Sequence, residues 1–159
     1  MKTAAARSRP YFSERLIAWI DGIGARLGRK SALPEHLVVG RAGEEAAMFH
    51  LRRMGYTIVA SDWRSVRLRG DIDLIGWHEG TLCFIEVKTR SQRSIVPAAF
   101  SIDDAKRNML RRMARAWVKH CAWAEKAPKR FDVVSVYLNG ASPEIEVQRN
   151  AFAWHKPEN

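Results

Sequence analysis

Two runs decide the fold: Gly70-Asp71-Ile72-Asp73-Leu74-Ile75 and, across Trp77-His78-Glu79-Gly80-Thr81, Phe84-Ile85-Glu86-Val87-Lys88-Thr89-Arg90. Both are apolar enough to be core strands, and the segment between them carries the turn residues that fold the first back onto the second. In a strand, side chains at i and i+2 leave the same face, so Glu86 and Lys88 project together while Ile85 and Val87 pack on the other side. Asp73, thirteen positions before Glu86, sits in an equally apolar strand. Two acids and one lysine therefore meet at a single edge. Like charges at close range repel and raise a pKa, so this arrangement makes sense once a divalent cation and an anionic substrate lie between them. The chemistry it points to is metal-assisted phosphodiester hydrolysis.

Working outward, Arg41 to Arg53 reads as a helix closed by Gly55, with Glu44, Ala47, Leu51 and Met54 on one face. Glu44 thus continues the apolar stripe, the placement a third active-site acid would need, although an acid near a helix N-terminus is also favoured there by the macrodipole alone. A short strand through Ile58 and Val59 follows, and then Trp63-Arg64, Arg67 and Arg69 form a basic approach to the first acidic strand. Ser91 to Phe100 reads as a loop. Ser101, with Asp104 three positions on, caps a helix to about Trp123. Its apolar side holds Ile102, Met109, Met113, Ala116 and Trp117; Arg107, Arg111 and Arg115 recur every four residues as an exposed cationic stripe. Pro128 breaks the chain before strands at Phe131 to Tyr137 and Glu144 to Val147 around Asn139-Gly140. Phe152 and Trp154 are expected to pack the tail against the body. Trp63 and Trp77 lie near the acidic strands as rim or core residues, and His78 is expected to be solvated in the hairpin turn.

Residues 1–36 form a separate basic extension, in which Phe12, Leu16, Trp19, Ile20, Ile23 and Leu27 recur at helical spacing opposite Arg15, Arg26 and Arg29. Such an amphipathic helix can dock on its own domain, on a second copy, on a protein partner or on a membrane surface. The remainder, 37–159, is one domain, which suits a chain of 159 residues. Lys and Arg number 27 against 17 acids, a formal charge of +10 that fits a polyanionic partner such as nucleic acid. Cys83 and Cys121 stand apart from any second thiol or histidine at metal-ligand spacing, as reduced thiols in a cytoplasmic protein do. No run approaches the length of a membrane span. No Gly-rich phosphate loop and no Ser or Cys nucleophile motif is present.

The order acid, spacer, Glu-x-Lys resembles the PD-(D/E)xK nuclease superfamily, with Asp73, Glu86 and Lys88 in those places. More narrowly, Gly40-Arg41-Ala42-Gly43-Glu44, Asp62-Trp63-Arg64, the Gly70 to Ile75 run, Phe84 to Arg90 and Phe131-Asp132-Val133-Val134 resemble, in that order, the YraN-like family of small bacterial predicted endonucleases, similar to Holliday-junction resolvases. The likeness spans about Val39 to Phe152. It departs at Asp71, where the family usually has Glu, and at Asp62, where it usually has Asn. The resemblance implies an α/β fold of restriction-endonuclease type, a mixed sheet flanked by helices. It further implies a Mg²⁺-dependent endonuclease, with Mn²⁺ as substitute, acting on nucleic acid, DNA before RNA, with branched or distorted DNA among the candidate substrates. Magnesium takes oxygen ligands and keeps several waters, so Asp73, Glu86 and the Val87 carbonyl are the expected ligands. Lys88 and Glu44 complete the catalytic set. Arg41, Arg64, Arg67, Arg69, Arg90, Arg111 and Arg115 are the expected phosphate contacts. The competing reading is a nucleic-acid-binding protein that keeps the nuclease fold without the reaction.

Overall fold

The structure, a computed structural model, describes residues 35–90, 102–138 and 142–155. The elements run α1 (Glu35–Arg53), β1 (Thr57–Arg64), β2 (Asp71–His78), β3 (Thr81–Arg90), α2 (Asp104–His120), a 3-10 turn (Ala122–Ala124), β4 (Lys129–Tyr137) and β5 (Glu144–Phe152). The five strands form one sheet in sequence order, β1-β2-β3-β4-β5. Neighbours are antiparallel except β3 and β4, which run parallel. A parallel pair needs a crossover, and α2 lies in the connection that supplies it. The sheet is therefore mixed, and the α/β class expected from the sequence is the class observed.

Alternation along β3 splits the core in two. Leu82 and Phe84 face α2, where they meet Leu110, Met113 and Trp117. Cys83, Ile85 and Val87 face α1, against Ala46, Ala47 and Leu51. The tail joins the α2 side: Trp154 stacks on Phe131 at 5.4 Å and Phe152 stacks on the same ring at 4.5 Å. No helix among the described residues is long and apolar enough to cross a membrane.

Several boundaries differ from the sequence reading, each for a local reason. Helix α1 begins at Glu35 instead of Arg41, because Gly40, like Gly43 a glycine inside the helix, costs only about 1 kcal/mol relative to alanine and does not stop a helix of 19 residues. It ends as expected at Gly55, whose φ of +91° lets the Tyr56 amide donate to the Leu51 carbonyl at 3.0 Å and close the last turn. The cap of α2 is Asp103, whose side chain accepts from the Lys106 amide at 2.7 Å; Ser101 lies outside the described residues, as do the Asn139-Gly140 turn, the loop at 91–100 and the extension up to residue 34. Strand β5 runs on to Phe152, bent at Asn150, where φ is +51°.

The solvated His78 is corrected. The hairpin turns on two residues only, Glu79 and Gly80, with φ of +50° and +73°, as a type I′ turn requires. His78 therefore remains a strand residue paired with Thr81, and it is 4% exposed. Its ring stacks on Tyr56 at 4.2 Å, with Arg130 Nη2 3.2 Å from Nδ1 and Arg149 Nη2 3.4 Å from Nε2.

Candidate active site

The ladder between β2 and β3 stops at Leu74 opposite Ile85. One more step in the same register sets Asp73 opposite Glu86, at the point where the strands part. The Val87 amide, left without a β2 partner, donates instead to Asp73 Oδ2 at 2.6 Å. In an extended strand a residue's N–H and C=O leave by the same edge, so the Val87 carbonyl also faces this opening. Side-chain alternation along β2 breaks at the same place. Ile72 and Ile75 both join the α2 core while Leu74 joins the α1 core. Across from it on β1, Asp62 has φ +47°, a left-handed conformation that Asn and Asp adopt more readily than most residues. Sheet divergence thus converts a strand carboxylate into an in-plane ligand for a backbone amide.

Glu86 is 3% exposed. Its Oε1 lies 2.8 Å from Lys88 Nζ and 2.9 Å from Lys106 Nζ. Its Oε2 is buried without a hydrogen-bond partner. Burial foremost, and then the neighbouring Glu86 carboxylate, push the Asp73 pKa up to about 7, against the pull of the Val87 amide and Lys106. The pair is thus short of positive charge on the Asp73 side and fully countered on the Lys side.

Glu44 reaches the same region from α1 without joining it. It is half-buried, and its pKa is raised by burial and then by Asp62 and Asp71, with Arg41 opposing. Among the described residues no group of three or more His, Cys, Asp or Glu side chains is close enough together to hold a metal ion. The core is therefore Asp73 with Glu86, and Glu44 stands off it.

The two helices reach the edge because glycine lets them. A Cβ on Gly43 would run into the Thr89 side chain, so α1 lies directly on the end of β3 and sets Glu44 beside the site. A Cβ on Gly70, at φ +117°, would run into Met109 in the same way, and α2 closes over the start of β2.

The expected phosphate contacts divide into two sets. Arg41, Arg64, Arg67 and Arg69 are exposed. Arg64 pairs with Asp62 at 3.0 Å and approaches Asp71 at 3.9 Å, at the mouth of the opening. Arg90 is half-buried at the end of β3, and Arg115 is exposed on α2. Arg111, expected on an exposed stripe, is instead 7% exposed. Its Nε donates to the Ala153 carbonyl at 3.0 Å, its Nη1 donates to Asn108 Oδ1 at 3.0 Å, and its guanidinium lies 5.4 Å from the Phe152 ring centre. Burial and the neighbouring Arg107 and Arg115 lower its pKa. Trp77 sits at the opposite end of β2, 5.7 Å from Trp123, and both it and Trp63 pack against the α2 core.

Lys106 is the site residue that sequence reasoning missed. A signal for it existed: a cation in the first turn of a helix opposes the macrodipole, so a half-buried lysine there needs an acid from elsewhere in the fold. Glu86 and Asp71 are those acids, the latter at 3.9 Å.

A family profile described as uncharacterised protein family UPF0102 matches residues 43–136, which include Glu44, Asp73, Glu86, Lys88 and Lys106. The chain is similar to a UPF0102 protein of Koribacter versatilis, 53% identical over 119 residues covering 75% of this chain and 82% of the other. It is also similar to one of Solibacter usitatus, 44% identical over 124 residues covering 78% and 91%. A third, from Porphyromonas gingivalis, is 36% identical over 122 residues covering 76% and 87%. The chain belongs to the UPF0102, or YraN, family.

Proposed function

We propose that the protein is a metal-dependent endonuclease that hydrolyses phosphodiester bonds in nucleic acid, DNA before RNA, with branched or distorted DNA among its candidate substrates. The observation that carries this reading is the opening between β2 and β3, where Asp73 and Glu86 face each other and Glu86 Oε2 is buried without a partner. A hard cation suits that donor set: two carboxylates and the Val87 carbonyl, with waters filling the rest, are what Mg²⁺ takes, and Mn²⁺ substitutes for it. Bound there, the cation would acidify a water and offset charge on the phosphate.

The chain's own residues do the remainder. The Val87 amide fixes Asp73 in the plane of the sheet. Lys88, 33% exposed at the rim of the site, is positioned to meet a phosphate or an attacking water. Arg64, Arg67 and Arg69 lead the nucleic acid towards the opening. Glu44, held above the usual carboxylate range by burial and neighbouring acids, acts at one remove through water. The free thiols of Cys83 and Cys121 fit a reducing compartment, the cytoplasm.

The test is a panel of labelled duplex, single-stranded, flap, four-way and RNA substrates, incubated with Mg²⁺ or Mn²⁺. Cleavage of at least one DNA form that disappears with chelator supports the proposal. Tight binding with no cleavage on any substrate, with either metal, would assign the protein to the non-catalytic class.

A further inference from the structure

One oxygen of Glu86 receives two ammonium groups. Lys88 Nζ and Lys106 Nζ stand 2.8 and 2.9 Å from Oε1, while the buried Oε2 has no partner. A single buried carboxylate is neutralised by one counter-charge, so Glu86 itself needs only one of the two lysines, and Lys106 faces Asp71 and Asp73 as well. The two are held differently. Lys88 extends from the end of β3, next to the opening. Lys106 stands in the first turn of α2, its amide bound to Asp103 and its Nζ also within 3.9 Å of Asp71 Oδ1. Three residues further along α2, Met109 is seated against Gly70, where no Cβ would fit. Helix and strand are locked together at the point from which Lys106 reaches across. The helix gains nothing electrostatically from a cation in that turn; the acids of the site are what hold it.

We propose that Lys106 is a positioning residue of this site, the resident counter-ion that fixes Glu86 Oε1, keeps Oε2 presented to the opening and releases Lys88 to turn to the substrate phosphate. This rests on reading the edge as a phosphodiester-cleaving site. With Lys106 in place, Lys88 leaves Glu86 without stranding a buried charge. Without it, Lys88 is the last counter-charge and is held back from the substrate.

A double-mutant cycle tests the shared hold on Glu86 without any turnover. In metal-free protein, Lys88→Met and Lys106→Met each lower the thermal midpoint only slightly, because the other lysine remains on Oε1. The double variant falls by more than the sum of the two. In a Glu86→Gln background that excess disappears. Additive effects in the wild-type background would overturn the proposal, since a lysine that merely packs has no reason to couple to Lys88.

Kinetics on a cleaved substrate test the consequence. Lys106→Met lowers kcat by about a hundredfold, the effect of misplacing a reacting group by an ångström, while KM stays within about twofold. Lys106→Arg, which keeps the charge, recovers most of the rate. An unchanged kcat, or a loss confined to KM, would also overturn the proposal. Should Lys106→Met be too unstable to purify, Lys106→Gln takes its place in both measurements. If the wild type cleaves nothing, the functional reading fails, and the cycle alone then decides whether Lys106 holds Glu86.

Discussion

Burial and charge act together on Asp73, and the consequences can be measured without a substrate. Its folded-state pKa is about 7 against an ordinary value of 3.8, so protonation is favoured in the folded protein. For a group with a raised folded pKa, the stabilisation is fully present below the unfolded value and is lost as pH rises through the folded one. Metal-free wild type should therefore lose stability relative to Asp73→Asn as pH climbs from about 4 to about 7; Asn still offers the Val87 amide an acceptor. Parallel melting curves for the two proteins across that range would show that Asp73 is not under this pressure. Adding Mn²⁺ at neutral pH should stabilise the wild type by RT ln(1 + [L]/Kd), raising its midpoint, and leave the Asn variant unmoved. In cleavage assays Asp73→Asn, Glu86→Gln and Lys88→Ala should each abolish turnover while sparing binding. Full activity in Glu86→Gln would remove Glu86 from the catalytic set. These three residues were legible because a two-residue strand period and one tight turn suffice to bring them together. Lys106 carried only an indirect sign, a cation in the first turn of a helix, because the acid it meets, Glu86, lies on a strand before the crossover.

Helices α1 and α2 matter to the site through single points of close approach, and those points are where they can be perturbed. Gly43→Ala forces a methyl into Thr89, and Gly70→Ala forces one into Met109 at a backbone angle that alanine resists. Overpacking of this kind costs about 1–3 kcal/mol, so both variants should melt lower than wild type. Their effects on the reaction should differ. Gly43→Ala moves Glu44 and should lower activity modestly. Gly70→Ala moves the turn that carries Lys106 and should lower kcat more. Equal losses from both would show that general destabilisation, not helix placement, is being measured. Sequence patterning located β2, β3 and β4 well because their apolar alternation is strong. It placed the start of α1 late and ended β5 early. Nothing local marks a glycine that a helix tolerates, and the extension of β5 to Phe152 is decided by stacking on Phe131, a contact between strands.

The whole molecule carries a net charge of +10, and how that charge is deployed separates two arginines that look alike in sequence. Nucleic-acid affinity should fall linearly with log[salt], with a slope of roughly −0.9 per phosphate neutralised on duplex DNA. Arg115, exposed on α2 with only a 3.5 Å contact to the Trp154 carbonyl, is available to phosphate. Arg111, one turn earlier, is spent inside the fold on Ala153, Asn108 and Phe152. Arg115→Ala should therefore flatten the salt slope by about one phosphate's share and leave the melting midpoint where it was. Arg111→Ala should do the reverse: it removes the buried side chain's packing on Phe152 and its hydrogen bonds to Ala153 and Asn108, a loss of about 1–3 kcal/mol for hydrogen bonds from a charged group, and leaves the salt dependence of the folded protein nearly intact. Measuring slope and midpoint on the same two proteins makes the outcome unambiguous. If Arg111→Ala flattens the slope as much as Arg115→Ala, the guanidinium leaves its internal contacts when nucleic acid binds, and the α2 stripe acts as one continuous phosphate track despite its burial in the free protein.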